Sequence, residues 1–71
     1  MEIEIGDIIK TTHRRLIVVT LTDMYVVARD MDFPTGNEEY IYESVIRLCA
    51  KGTWSLKKAT KQLDMSALEE L

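Results

Sequence analysis

LIVVTLTDMYVVARDMDFPTGNEEYIYE, residues 16–43, decides how this chain folds. Leu16 to Thr22 is rich in branched side chains that suit a pleated sheet, and the run from Met24 to Asp32 continues the habit. Between them Thr22-Asp23 is short enough for a tight hairpin, with Asp23 able to take the left-handed conformation such a turn asks for. FPTGN, residues 33–37, is the second turn signal. Pro34 sets a corner, Gly36 is expected to supply a positive φ, and EEYIYE follows as a strand. In that strand Ile41 and Val45 fall on one face with Glu39 and Glu43, while Tyr40 and Tyr42 fall on the other.

Toward the N-terminus, EIEIGDIIK alternates Ile3 and Ile5 with Glu2 and Glu4, breaks at Gly6-Asp7, and resumes with Ile8 and Ile9 as an extended segment entering a strand. Toward the C-terminus, ESVIRLC supplies Ile46 and Leu48 for a last short strand or a single helical turn, and Lys51-Gly52 is expected to end the sheet. Five short strands joined mostly by tight turns cannot hide both faces as a flat open sheet, so closure into a small barrel is the economical solution. The order of an extended lead ending in Gly-Asp, a strand, two hairpins and a brief final strand resembles the SH3-like small barrels, including their Tudor and KOW-type relatives. The resemblance spans residues 2–49 and is one of fold, from which no functional residue is carried over. An OB-like barrel is the alternative. The expected fold is mainly β with a C-terminal helix: a barrel over residues 1–50 and a helical tail over residues 51–71.

In that tail Leu56, Ala59, Leu63, Ala67 and Leu71 fall near one helical face, with Lys57, Lys58 and Lys61 opposite. Thr53 or Ser55 offers a cap, and Asp64 or Ser66 would start a second short helix. SLKKAT followed by LDMS resembles the opening of a DNA-binding helix-turn-helix. The reading helix would then be Ala67, Leu68, Glu69, Glu70 and Leu71, which carry two carboxylates and no Arg, Lys, Asn or Gln to reach a base edge. The expected role of the tail is an apolar face laid on the open end of the barrel or on another protein.

A chain of 71 residues, 46% hydrophobic and 30% charged, makes one thin-cored globular domain. No apolar run approaches the roughly 20 residues that span a bilayer, and MEIEIGD carries acids where a signal peptide carries Lys or Arg. A free-standing cytoplasmic protein, monomer or homodimer, is expected. Cys49 is the only cysteine, which excludes an internal disulfide and a cysteine-based zinc cluster within one chain. The net charge of -3 is unevenly spread. Residues 23–46 carry Asp23, Asp30, Asp32, Glu38, Glu39 and Glu43 against Arg29 alone, and residues 47–61 carry Arg47, Lys51, Lys57, Lys58 and Lys61 without an acid.

Function is expected to be non-catalytic. His13 and Cys49 are a lone base and thiol with no visible third group, and phosphate loops and metal-spaced histidines are missing, so no cofactor and no metal are expected. Asp30, Asp32, Glu38 and Glu39 fit no calcium-loop spacing and are expected to guard a hairpin edge against aggregation. Tyr25, Tyr40, Tyr42, Trp54 and Leu68 are the expected protein-binding residues, because aromatics offer much contact area at small entropy cost. The principal expectation is a module that binds a larger protein and modulates or inhibits it, in the style of small accessory proteins of phages and mobile elements. A nucleic-acid patch of His13, Arg14, Arg15, Lys57, Lys58 and Lys61 is the competing expectation, and a self-associating assembly component is the third.

Overall fold

The structure, a computed structural model, describes residues 2–59. Over them the chain forms β1 (Ile8–Lys10), β2 (Arg15–Leu21), β3 (Tyr25–Asp30), β4 (Asn37–Ile41), α1 (Tyr42–Lys51) and β5 (Ser55–Lys57). The sheet runs β4-β3-β2-β1-β5, every neighbour antiparallel. It is a meander of four strands whose chain then returns through α1 to lay β5 beside β1. The mainly β expectation holds, and this order is compatible with a small barrel-like fold. No ladder joins β4 to β5 among the described residues. Instead α1 packs against β3, β4 and β5, bridging the two edge strands.

Alternation puts Leu16 and Val18 of β2 and Val26 and Ala28 of β3 inside, where they meet Ile3, Ile9 and Val45 in one core. The pairing of β2 with β3 steps from Val18↔Ala28 to Thr20↔Val27, so Val19 is an extra residue that bends the strand. Gly6 turns the lead at φ 95, and its N–H donates to the Val18 carbonyl at 2.8 Å while the Val18 N–H donates to the Asp7 carbonyl at 2.9 Å. A left-handed residue at this corner is what glycine tolerates.

The chain beyond Ile41 departs from the sequence expectations. The segment read as the end of a strand, followed by a last short strand or a single helical turn, is a ten-residue helix. Tyr42, Val45, Ile46 and Cys49 recur at helical spacing and pack on the core, and Glu43 and Lys51 complement the helix dipole. Ser55, Leu56 and Lys57, read as the start of the tail helix, form β5. Gly52, at φ 85, ends α1 with its N–H on the Cys49 carbonyl at 3.1 Å and the Thr53 N–H on the Leu48 carbonyl at 3.0 Å. That reversal sets Ser55 beside Lys10, and the open edge of β1 takes up the strand. Lys51-Gly52 thus ends the helix rather than the sheet, and the strand completing the sheet lies beyond residue 50.

The two hairpin turns are built differently from their reading. Gly36 is not at positive φ. The β3–β4 loop is held instead by the Asp30 carboxylate, which accepts from the N–H groups of Asp32 at 2.8 Å and Phe33 at 3.0 Å. Among the described residues no non-glycine has a positive φ, so Asp23 is not left-handed. The Thr22 hydroxyl closes that turn by accepting from the Tyr25 N–H at 2.9 Å. The expected tail positions Lys61, Leu63, Asp64, Ser66, Ala67, Leu68 and Leu71 lie outside the described residues.

Candidate functional site

Asp7 is fully buried at the corner that Gly6 creates. Its Oδ2 accepts from the Glu4 N–H at 2.8 Å and from Lys58 Nζ at 2.6 Å, and its Oδ1 accepts from the Ala59 N–H at 3.2 Å. Burial alone would raise the pKa of this carboxyl, but Lys58 and the two backbone donors outweigh it and hold it below the ordinary value. Lys58 also donates to the Glu2 carbonyl at 2.8 Å and pairs with Glu4 at 3.4 Å. Its ammonium ties the extended lead to the end of β5, a structural task for a residue expected on a nucleic-acid surface.

The loop between β1 and β2 is closed by Thr11, whose N–H donates to the Arg14 carbonyl at 2.9 Å and whose hydroxyl accepts from the Arg14 N–H at 3.0 Å. Arg14 then reaches across the sheet. Its Nε donates to Asp30 Oδ2 at 2.9 Å and its Nη2 to Glu38 Oε2 at 2.8 Å, and the Tyr40 hydroxyl donates to the other Glu38 oxygen. Arg14 and the backbone donors beside Asp30 keep the carboxyls of Asp30 and Glu38 below their ordinary values. Arg15 Nη2 pairs with Asp32 at 2.7 Å. Of the six expected nucleic-acid contacts, Arg14, Arg15 and Lys58 are engaged inside the molecule, His13 and Lys57 are exposed, and Lys61 lies outside the described residues.

The expected aromatic face divides. Tyr40 stands opposite the fully buried Val26 and turns inward, meeting Trp54 edge to face at 5.9 Å between ring centroids. Tyr42 begins α1, and its hydroxyl accepts from the Ile3 N–H at 3.0 Å. Both tyrosines and Trp54 pack on the core, which corrects the expectation that Tyr40 and Tyr42 share one face of a strand. Tyr25 does face outward, opposite Ile41. There it joins a surface that the sequence reading missed: Met24 is 62%, Ile41 52% and Tyr25 38% exposed. Met24 and Ile41 line a hollow with Tyr42, Asp23 and Glu43. Asp23, Glu39 and Glu43 make no ion pair among the described residues, so the apolar group has an acidic rim. The signal was the two-residue period of β4, which sets Ile41 opposite Tyr25 once the strand stops at Ile41 instead of running on to Val45.

An open groove lies between the lead and the end of α1, lined by Glu2, Glu4, Cys49, Trp54, Leu56 and Lys58 among others. Burial pushes the Cys49 thiol up, away from the thiolate a nucleophile needs. No hydrogen bond joins Cys49 to His13 among the described residues. Nor does any group of three His, Cys, Asp or Glu converge there as a cation would require. No described helix is long and apolar enough to cross a membrane. Protein-family models, curated proteins and solved structures provide no match to this chain.

Proposed function

We propose that this chain is a small non-catalytic module that docks on a larger cytoplasmic protein and modulates or inhibits it, using Met24, Tyr25 and Ile41 as the contact. The observation that carries the reading is their exposure side by side at one end of the sheet, while Tyr40, Tyr42 and Trp54 pack on the core and the exposed Phe33 stands apart on the β3–β4 loop. Large apolar groups gathered on a surface are worth most when a partner covers them. The acidic rim of Asp23, Glu39 and Glu43 favours a partner with an apolar centre bordered by Lys or Arg, since complementary charge speeds encounter and rejects wrong partners. The internal pairing of Arg14, Arg15 and Lys58 disfavours the competing patch built on those residues.

The test is affinity capture from the host lysate with nuclease present, comparing the wild-type chain with a Met24→Asp/Ile41→Asp variant. One stoichiometric protein held by the wild type and lost by the variant supports the reading. Equal capture by both overturns it. Light scattering of the purified chain separates a second copy of itself from a foreign partner: a doubled mass that returns to a single mass in the variant assigns the surface to self-association.

A further inference from the structure

The outward face of the sheet carries a second feature at its other end. Register sets Lys57 of β5 opposite Ile8, Ile8 opposite Ile17, and Ile17 opposite Arg29, so one row crosses four strands. The next row runs Ser55, Lys10, Arg15. Residues two apart on a strand share a face, and the residues between these, Ile9, Leu16 and Ala28, are buried. Lys10, Arg15, Arg29 and Lys57 therefore stand together on the solvent side, all exposed. Ile8, Lys10, Arg15, Ser55 and Lys57 line one hollow.

The acids answer only part of this charge. Arg15 pairs with Asp32 at 2.7 Å, and Arg29 Nε donates to the neutral Asn37 at 2.9 Å. Lys10 and Lys57 make no ion pair among the described residues, and Glu39 stands one row beyond Arg29. A net charge of -3 thus conceals a cationic strip about 14 Å across, three strand spacings from Lys57 to Arg29.

We propose that this strip binds the phosphate backbone of duplex DNA without reading its sequence. The row presents cations at its ends and isoleucines between them, and it has neither an aromatic platform for unstacked bases nor a set of polar groups for base edges. What remains is charge complementarity to closely spaced phosphates, which a duplex offers most densely. The residues are separate from the apolar end, so this inference and the proposed function fail independently.

Fluorescence anisotropy of a labelled DNA duplex with the full chain, titrated at several salt concentrations, tests it. Binding at low salt should weaken with a slope of about -3 in log affinity against log salt, as for three phosphates neutralised. Lys10→Glu/Lys57→Glu should lose at least tenfold in affinity, with about two units less slope. Arg47→Glu/Lys51→Glu, the same charge change on exposed α1 positions, should lose far less. Thermal melts of each variant verify that it is folded. Absence of salt-dependent binding, equal loss in the two charge-reversed variants, or tighter binding to single strands than to the duplex would overturn the proposal.

Discussion

Asp7 shows how much one side chain carries in a domain this small. Its carboxylate ties the N-terminal lead to the end of β5 through Glu4 and Lys58, and its backbone carbonyl accepts from the Val18 N–H of β2. Lys58 keeps the Glu2 carbonyl and Glu4, but the buried site loses a charged acceptor and gains an amide facing backbone donors, so Asp7→Asn should destabilise by about 2 kcal/mol. Urea unfolding followed by Trp54 fluorescence measures this. Because the folded pKa of Asp7 is below the ordinary 3.8, its contribution is complete above that value and is lost as pH falls through the folded one. Asp30 and Glu38 shift in the same direction. Lys58 is raised above 10.5, so its contribution is complete below that value and fades as pH climbs through the folded one. Stability should be flat near neutrality with an acid limb, and Asp7→Asn should make that limb shallower; an unchanged limb would assign it to other groups. Glycines separate in the same way. Gly52→Ala, at φ 85, should cost about 1 kcal/mol, whereas Gly36→Ala, with open space around it, should stay within about 0.5 kcal/mol of wild type. The sequence makes the Gly6-Asp7 break visible, but the partner of Asp7 lies 51 positions away and no local pattern points to it.

At the scale of elements, β2, β3, β4 and both hairpins are legible from branched runs and turn residues, while α1 and β5 are not. Ile41 and Val45 are four apart, a spacing that fits both a strand face and a helix turn. The fuller set Tyr42, Val45, Ile46 and Cys49 resolves it in favour of a helix. Ser55 to Lys57 has no strand signal of its own; the free edge of β1 and the Gly52 reversal impose it. A helix that bridges two strand edges should matter more than its length suggests. Val45→Ala, at a position 1% exposed, is expected to cost about 2 kcal/mol in chemical denaturation and to loosen the Tyr40–Trp54 contact, seen as a red shift of tryptophan emission before global unfolding. A variant as stable as wild type would mean that α1 rests loosely on the sheet.

For the whole molecule, the decisive property is where charge and apolar surface are left over once the internal pairs are made. Among the described residues Asp7, Asp30, Asp32 and Glu38 are answered by Lys58, Arg14 and Arg15; besides Arg47 and Lys51 on α1, this leaves Asp23, Glu39 and Glu43 around an apolar end and Lys10, Arg29 and Lys57 across the opposite end of the same sheet. Linear charge blocks did not reveal this, because cross-strand register sorts residues from different segments onto one face. The most direct measurement of the central claim is site-specific photo-crosslinking in host cells, with the crosslinking amino acid at Ile41 in one preparation and at Lys51 on α1 in another. The account predicts one larger protein joined to the Ile41 position, with Lys or Arg flanking the joined peptide, and none at Lys51. The same products from both positions, or none from Ile41, would contradict it.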